Sequence, residues 1–387
     1  MAYDRELAFI YLNPAKIIYG ENTVNDVGIE VGELGCSKAF VITDPGVVEA
    51  GLTERVVKAL GGKHAGTYDE VVQDSGHHII NQAAEAVRKS GADCLVSIGG
   101  GSVIDTAKAV SILLKSGGQI GDYTGFQMLS KPQAPHVAIP TTSGTGSEVT
   151  NCAVIKDWDR NQKQLLGSDY IIPNTAILDP TLTTGLPPML TATTGMDAMS
   201  HAVEAIHTMN HEPIMDALGL HAVGLIMENL PKCVEDGSDL VARGQQLIAS
   251  TIAGMAFGGS KVGLAHAIAH SLGGLFEVPH GLANSIILPH VIMFNLDECA
   301  DIYAMIARAM GTDTKGLSDM EAGEAAGNAL WDLTKKLGIP QKLSEAGVPE
   351  DGLEAVADMS MSDGAIVYNP KIVMDSADIL DILKKAY

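Results

Sequence analysis

The order of short apolar runs and helical patterns is the feature that most restricts the fold of this chain. Three such runs end in polar or glycine-rich turns, as buried strands do: residues 38–44, 92–98 and 135–139. Strands that alternate with helices predict a parallel sheet with ligands at the carboxyl ends of its strands. After Pro187 and Pro188 the pattern is almost wholly helical. We therefore expect an α/β domain over residues 1–186 and an all-α domain over residues 187–387.

Composition limits the classes of protein to which this chain can belong. Its 387 residues suffice for two domains, and a hydrophobic fraction of 46% allows a large core. The net charge of −22 argues against nucleic acid or an anionic membrane surface as partner, because Lys and Arg bind phosphates. No apolar run reaches the roughly 18 residues of a membrane span, and the N-terminus lacks the form of a signal peptide. Five scattered cysteines without a CxxC spacing predict reduced thiols and a cytoplasmic protein.

Two polar turns after predicted strands have the composition of a phosphate-binding site. Residues 99–102, Gly-Gly-Gly-Ser, expose backbone N–H groups at the start of a helix, whose N-terminus favours an anion. Residues 141–147 add hydroxyls and amides after the next strand. We expect Ser102 to cap this helix, with Asp105 at the third helical position as the acid of a capping box. The alternative is that both turns are purely structural, since the GxGxxG pattern of common dinucleotide-binding folds is absent.

Two pairs of polar residues lie in apolar segments of helical composition. Asp197 and His201 are four residues apart, as are His266 and His270, so each pair lies on one face of its helix. A further imidazole, His280, lies between a proline and a glycine. One carboxylate with imidazoles from three segments is a donor set for a divalent metal. The alternative is that these histidines are core or surface residues with their own hydrogen bonds.

Longer motifs accompany these residues: residues 99–102, residues 140–150, Asp179-Pro180 and residues 195–204. With them, nearly the whole chain resembles the iron-containing (group III) alcohol dehydrogenases, in particular members of the lactaldehyde reductase and 1,3-propanediol dehydrogenase type. The resemblance implies a dehydroquinate synthase-like fold, with an N-terminal Rossmann-like parallel-sheet domain, a C-terminal helical domain and the active site in the cleft between them. It implies that His270 is not a metal ligand. The implied ligands are Asp197, His201, His266 and His280.

The same resemblance implies the contacts of an NAD(H) cofactor and of the substrate. Asp44, at a strand end, is suited to accept from both ribose hydroxyls and to repel a 2′-phosphate. The alternatives are that Asp44 only begins an Asp-Pro-Gly turn, and that Lys163 is a solvated lysine. The implied cofactor contacts are Asp44, Gly99, Gly100, Gly101, Ser102, Thr141, Thr142, Thr145, Lys163 and Leu182. Cys152 and Phe257 are implied to line the substrate pocket.

These assignments predict a metal-dependent oxidoreductase that interconverts a small primary alcohol and its aldehyde with NAD(H). The resemblance implies Fe²⁺, with Zn²⁺ in some relatives, and the ligand types suit both metals. His270, one helical turn after His266, is a candidate for passing a proton between substrate and solvent, or else a packing residue. The alternative function is an NAD- and metal-dependent lyase of the dehydroquinate synthase type. The resemblance also implies a homodimer or larger homo-oligomer, in which residues 9–19 pair across a two-fold axis.

Lys261 adds a hypothesis about the substrate. It lies five residues before His266, in a chain of strongly negative net charge. A local positive charge near the site predicts an aldehyde that carries a carboxylate, sulfonate or phosphate group. The alternative is that Lys261 is a solvent-facing residue at the start of a helix, as most charged residues are exposed.

Overall fold

The computed structural model describes residues 7–158 and 162–387 and divides the chain into two compact units. One unit comprises Leu12–Gly185, and the other comprises Leu186–Tyr387 with the described residues before Leu12. The division after Gly185 falls just before the two prolines at which the alternating pattern ends. The first six residues, part of the segment that argued against a signal peptide, lie outside the described residues.

Two sheets form within Leu12–Gly185. The strands are β1 (Lys16–Tyr19), β2 (Ala39–Ile42), β3 (His64–Tyr68), β4 (Cys94–Gly99), β5 (Gly125–Phe126), β6 (His136–Pro140), β7 (Cys152–Asp157), β8 (Gln162–Gly167) and β9 (Thr175–Leu178). The larger sheet has the order β1-β9-β6-β4-β2-β3 with every neighbouring pair parallel, which confirms the predicted parallel sheet. The smaller sheet, β5-β8-β7, contains one antiparallel pair and is not predicted from the sequence.

The larger sheet brings the carboxyl ends of β2, β4 and β6 to neighbouring positions on one edge. Gly99 at the end of β4 is paired with Pro140 at the end of β6. The chain goes from β2 outward to β3, and it then returns to place β4 on the other side of β2. The order of the strands therefore reverses between β2 and β4. Open α/β sheets bind ligands at such a switch point, outside the carboxyl ends of the strands.

Both faces of this sheet are covered, which explains why its central strands are continuous apolar runs. In β2, Phe40 and Ile42 belong to one buried cluster, whereas Ala39 and Val41 belong to a second cluster. The α-helices of this unit are α1 (Val27–Glu33), α2 (Pro45–Glu49), α3 (Leu52–Leu60), α4 (His77–Ser90) and α5 (Gly101–Ser116). Its 3₁₀ helices are Thr23–Asp26, Gly61–Lys63, Ile120–Tyr123, Ser147–Val149, Asp169–Ile171 and Pro180–Leu182.

The second unit is largely helical, as predicted, and its helices bury one continuous apolar cluster. They are α6 (Pro188–His207), α7 (Pro213–Glu235), α8 (Leu240–Ser260), α9 (Leu264–Phe276), α10 (His280–Asn295), α11 (Ala300–Ala309), α12 (Asp319–Lys336), α13 (Leu353–Ser360) and α14 (Ser376–Ala386), with 3₁₀ helices at Glu350–Gly352 and Gly364–Tyr368. Among the described residues, no single helix is long and apolar enough to cross a membrane. Helices α8 and α9 meet that criterion only as a pair, bent by 103°, and only by length and composition.

Candidate active site

Helix α6 carries the first two residues of the predicted metal set. It begins at Pro188, a residue suited to the first helical turn. Asp197 and His201 lie one turn apart on one face, with only 3% and 6% of their surfaces exposed. Glu204 continues the same face and is fully buried. A buried polar stripe on an apolar helix requires partners from neighbouring elements, because unpaired buried polar groups are costly.

The other two predicted ligands come from α9 and α10. His266 lies in the first turn of α9, and His280 is the first residue of α10, directly after Pro279. Gly281 allows α10 to approach α6, since a side chain there would meet the carbonyl oxygen of Thr193 at 2.3 Å. One donor atom from each of the four predicted ligands lies within 4.8 Å of the others. The structure therefore brings the whole predicted set together.

The contacts of Asn284 show where these donor atoms point. Its amide Nδ2 lies 3.0 Å from Asp197 Oδ1, 3.2 Å from His280 Nε2 and 3.4 Å from His266 Nε2. Three acceptor atoms thus converge on one electropositive group, as they do around a cation. One carboxylate and three imidazoles suit Fe²⁺ or Zn²⁺, and both metals accept a further oxygen ligand at such a site. The residues present fit the predicted metal.

Glu204 orients the ring of His266. Its Oε2 accepts a hydrogen bond from Nδ1 of His266, and its Oε1 accepts one from the backbone N–H of Ala265 at 2.8 Å. Burial acts to raise the pKa of Glu204, but the charge and hydrogen bond of His266 outweigh burial and lower this pKa to about 2. The ionised carboxylate fixes the proton of His266 on Nδ1 and leaves Nε2 for a metal, as in carboxylate–histidine–metal triads.

Two ring stacks and one further carboxylate complete the surroundings of the imidazoles. Phe257 stacks on His201, with ring centroids 4.2 Å apart, and His270 stacks on His280 at 5.3 Å. Nδ1 of His270 donates to Oδ2 of Asp363 at 2.8 Å. Burial acts to raise the pKa of Asp363, but the hydrogen bond and charge of His270 lower it. An ionised Asp363 holds the proton of His270 on Nδ1, so Nε2 is the nitrogen that can exchange a proton with a ligand.

In the other unit, the two predicted phosphate-binding turns lie against each other. Thr141 directly follows β6, and the turn after it reaches the turn between β4 and α5. A side chain at Gly101 would meet Thr145 Cγ2 at 2.7 Å, and one at Gly100 would meet Thr142 at 3.4 Å. A side chain at residue 101 would therefore displace Thr145, whereas the contact at Gly100 is of ordinary length. The backbone N–H groups and hydroxyls of both turns lie at one edge of the sheet.

The start of α5 differs from the prediction. Gly100 is the residue before the helix, α5 begins at Gly101, and no side chain caps the helix. Ser102 lies inside the first turn, where its Oγ accepts from the backbone N–H of Asp74 at 3.3 Å. The predicted capping box between Ser102 and Asp105 is wrong, because the carboxylate of Asp105 binds other partners. The first N–H groups of α5 are thus not taken up by a side-chain cap, as a phosphate-binding turn requires.

A buried ion pair ties α5 to the second turn. Nζ of Lys108, which is fully buried, donates to the hydroxyls of Ser147 and Thr150 at 2.9 and 3.0 Å. Its third hydrogen bond goes to the carbonyl oxygen of Cys152 at 2.6 Å. Oδ1 of Asp105 lies 3.6 Å from Nζ and accepts from Ser147 Oγ. Burial raises the pKa of Asp105. Because all three donors of the ammonium are used, Lys108 fixes the segment after the threonine-rich turn on the helix that begins at the glycines.

The remaining predicted cofactor contacts lie near these turns or in the core. Asp44 is the N-cap of α2, two residues after the end of β2, and its Oδ1 accepts from the backbone N–H of Val47 at 3.0 Å. Lys163 lies on β8 and forms a salt bridge to Asp74 Oδ1 at 3.0 Å, with 18% of its side chain exposed. Leu182 is 3% exposed and packs in one of the clusters that cover the sheet. Asp44 is therefore the one carboxylate of this group at the switch point.

The other two residues predicted to line the substrate pocket lie at the ends of secondary-structure elements. Cys152 is the first residue of β7 and is half-buried. Lys261 follows α8 directly, with φ of 73° and ψ of −176°, a backbone region that is essentially restricted to glycine. Its Nζ donates to the carbonyl oxygen of Gly258 at 2.8 Å. The helix that carries His266 begins later than predicted, at Leu264, because the chain leaves the helical conformation at Lys261.

Sequence reasoning does not identify three residues of this constellation. Glu204 is seven residues after Asp197, and Asn284 is four residues after His280. Both lie on the same helical face as a predicted ligand, and this spacing is the signal by which they could have been found. Asp363 is 93 residues from His270, its partner, and no local spacing connects them.

Comparison with known proteins agrees with this geometry. The family model of the iron-containing alcohol dehydrogenases matches residues 14–180. The model of the C-terminal part of the Fe-containing alcohol dehydrogenase family matches residues 191–387. Fold and site define an oxidoreductase of the alcohol dehydrogenase class. The chain belongs to the iron-containing alcohol dehydrogenase family.

Individual relatives cover almost the whole chain. An NAD-dependent methanol dehydrogenase of Bacillus methanolicus is 39% identical, over 97% of this chain and 99% of the relative. A sulfoacetaldehyde reductase of Bilophila wadsworthia is 36% identical, over 98% of this chain and 99% of the relative. The crystal structure of a 1,3-propanediol oxidoreductase superposes with a TM-score of 0.96 at 36% identity, covering 98% of this chain and 100% of that one.

Proposed function

We propose that this protein is a metal-dependent, NAD(H)-linked oxidoreductase that interconverts a small primary alcohol and its aldehyde. The observation that carries this proposal is the convergence of one carboxylate and three imidazoles, with donor atoms within 4.8 Å of one another. Asp197, His201, His266 and His280 would hold the metal, with Fe²⁺ favoured by the family and Zn²⁺ also suited. The metal, when bound, supplies a Lewis acid that polarises a substrate oxygen, and NAD(H) supplies or accepts the hydride.

The side chains around the metal set divide the remaining tasks. Asp363 keeps the proton of His270 on Nδ1, so that Nε2 of His270 is available to receive the hydroxyl proton when an alcohol is oxidised, or to supply a proton to the alkoxide oxygen when an aldehyde is reduced to the alcohol. Phe257 covers the ring of His201 and restricts water on that side. In the other unit, the turns at residues 99–102 and 141–145 present N–H groups and hydroxyls that suit a pyrophosphate.

A panel of short primary alcohols with NAD⁺ tests the proposal. Stoichiometric appearance of NADH absorbance, with metal analysis of the same sample, is the expected result. A lyase of the dehydroquinate synthase type would regenerate its cofactor and show no net NADH. Turnover of no alcohol or aldehyde by the metal-loaded protein would contradict the proposal.

We expect the enzyme to prefer NAD(H) over NADP(H), and Asp44→Gly to narrow that preference. Asp44 lies at the carboxyl end of β2, beside the switch point, where a carboxylate repels a 2′-phosphate. Glycine is also accepted at a helix N-cap, so the change costs only a few tenths of a kcal/mol in stability. The measurement is kcat/KM for both cofactors in both proteins. A native preference for NADPH would be incompatible with the role of Asp44.

We further propose that the aldehyde carries an anionic group, such as a sulfonate or carboxylate, held by Lys261. A non-glycine residue in a glycine-only backbone region costs about 1–3 kcal/mol and is typical of functional sites. Nζ of Lys261 donates a hydrogen bond to the carbonyl oxygen of Gly258. The residue before Gly258 is Phe257, whose ring stacks on the predicted ligand His201. The sulfoacetaldehyde reductase among the relatives supports this substrate class.

Lys261→Met should raise KM or lower kcat/KM about tenfold for an anionic aldehyde and leave a neutral aldehyde of equal length unchanged, as loss of one charged hydrogen bond predicts. Lys261→Gly is the matched variant, because it removes the charge and also suits the backbone. It should lose the same selectivity while its unfolding free energy rises. Equal effects on both aldehydes, or none, would show that Lys261 has only a structural role.

We also propose a homodimer or larger homo-oligomer. Strand β1 lies at an edge of the larger sheet, and apolar side chains precede it in an exposed segment, with Ile10 91% and Leu12 52% exposed. An edge strand with apolar neighbours is suited to pairing across a two-fold axis. Sedimentation velocity should give a species of at least twice 40.5 kDa. A single 40.5 kDa species at micromolar concentration would contradict the assembly.

A cytoplasmic location is part of the same proposal. None of the five cysteines, all of which lie among the described residues, forms a disulfide bond, and three of them are buried. Reduced cysteines of this kind are typical of cytosolic proteins. Detection of the protein in a cytoplasmic fraction under native expression is the corresponding test.

A further inference from the structure

The loop that follows β3 reaches the glycine-rich turn through Asp74. The backbone N–H of Asp74 donates to Oγ of Ser102 at 3.3 Å, and Ser102 lies in the first turn of α5. The end of the loop is fixed on β7, because the backbone N–H of Lys156 donates to the carbonyl oxygen of Ser75 at 3.0 Å. Asp74 therefore lies beside the turn that we propose to bind a pyrophosphate.

The carboxylate of Asp74 is paired with an ammonium. Its Oδ1 lies 3.0 Å from Nζ of Lys163, with 36% of the side chain of Asp74 and 18% of that of Lys163 exposed. Asp74 has φ of 52°, a left-handed conformation that aspartate and asparagine adopt more readily than most residues. The loop and β8 are thus joined by an ion pair that is only partly buried.

Lys163 is the one cation among the residues that the sequence predicts to contact the cofactor. The others are glycines, hydroxyl-bearing residues, Leu182 and Asp44. An ammonium is a strong donor to a phosphate oxygen, so this lysine is suited to be the positive partner of a pyrophosphate. In the structure, its Nζ is directed to Asp74. The phosphate and the carboxylate are both anions and compete for the same ammonium.

We propose that Asp74 lowers the affinity of the enzyme for its dinucleotide by competing with the pyrophosphate for Lys163. This inference rests on the proposed function, because the turns at residues 99–102 and 141–145 must bind the dinucleotide for Asp74 to act on it. The carboxylate adds a repulsive charge beside the pyrophosphate site and holds the ammonium away from it. NAD⁺ and NADH carry the same pyrophosphate, so Asp74 weakens the binding of both. Weaker binding favours exchange of the cofactor after each turnover, and product release limits the rate of many enzymes.

Asp74→Asn is the test, since asparagine has the same shape, accepts the left-handed backbone and keeps the N–H that bonds Ser102. Isothermal titration with ADP-ribose, which carries the pyrophosphate, should give a dissociation constant about fivefold to tenfold lower than that of the wild type. The gain should shrink at high ionic strength. Binding of adenosine, which has no phosphate, should change by less than about twofold. Asp74→Gly also suits the left-handed backbone and, as a second variant, should show the same gain.

Glu70→Gln is the matched control, because Glu70 is an exposed carboxylate of the same loop. It changes the net charge by the same amount and should change the dissociation constant for ADP-ribose by less than about twofold. Lys163→Met, alone and combined with Asp74→Asn, completes a double-mutant cycle. Lys163→Met should raise the dissociation constant. In its background Asp74→Asn should give less than about half of the gain, because no ammonium is left for which the two anions compete.

An unchanged or higher dissociation constant in Asp74→Asn, with folding established by circular dichroism, would overturn the inference and show that the ion pair only holds the loop on β8. Equal gains with and without Lys163 would also overturn it, because they would arise from repulsion alone. A wild type that binds neither ADP-ribose nor NAD⁺ would instead contradict the proposed function, so the two failures are distinguishable.

Discussion

Replacing His266 or His280 by alanine will abolish alcohol oxidation and lower the amount of bound metal. The four predicted ligands have donor atoms within 4.8 Å of one another, and each substitution removes one of them. A Lewis-acid metal contributes several kcal/mol to the reaction, so we expect a loss of about 10³-fold or more in kcat/KM. The measurement combines NADH absorbance with elemental analysis of the dialysed protein.

His221→Ala is the matched control for these variants. His221 lies on α7 in the same helical unit, but its side chain is exposed. This variant should keep the metal content and the turnover of the wild type. Far-UV circular dichroism of all three proteins separates loss of metal from loss of fold. Full metal occupancy with retained turnover in either ligand variant would refute the assignment of the site.

Lys108→Met will lower the free energy of unfolding by about 3–5 kcal/mol, the cost of breaking a buried ion pair by removing one partner. Lys108 has no exposed surface, and its ammonium donates to two hydroxyls and one carbonyl. Methionine has similar length but none of these donors, so it leaves Asp105 without its positive partner. Urea denaturation followed by circular dichroism measures the change.

Two further variants decide how this effect arises. Lys115 lies near the end of the same helix at an exposed position. As a control, Lys115→Met should change the free energy of unfolding by less than about 0.5 kcal/mol. Lys108→Met combined with Asp105→Asn removes both charges and should recover part of the loss. Because the ion pair connects the two turns, KM for NAD⁺ should also rise in Lys108→Met. A loss below about 1 kcal/mol would show that the pair contributes little.

The elements that the sequence predicts well are those whose local pattern decides their burial. Strand β4 is fully buried on both faces and is therefore apolar except for Ser97, and its glycine-rich end is visible as a turn. The donor pair Asp197 and His201 is found because helical spacing alone places both on one face. His266 on α9 is singled out by the same spacing, whereas His280 is singled out by its position between Pro279 and Gly281. The family resemblance implies the ligand role of both.

The elements that the sequence does not predict depend on contacts between distant segments. Asp105 has the spacing of a capping box, but its carboxylate binds Ser147 and the backbone N–H of Val154, 42 and 49 residues away. Asp363 meets His270 only in the folded helical unit. Strand β8 begins with three polar residues, Gln-Lys-Gln, which have no strong preference for the β conformation. It forms by pairing with β7.

The division of the chain at Gly185 separates two chemical tasks by sequence position. All four predicted ligands lie in Leu186–Tyr387, and the glycine- and threonine-rich turns lie in Leu12–Gly185. Each half is matched by its own family description. Mutations in the first segment can therefore alter cofactor preference, and mutations in the second can alter metal binding, independently of each other. Recombination near the two prolines would exchange one task as a block, and laboratory chimaeras of related chains are best joined there.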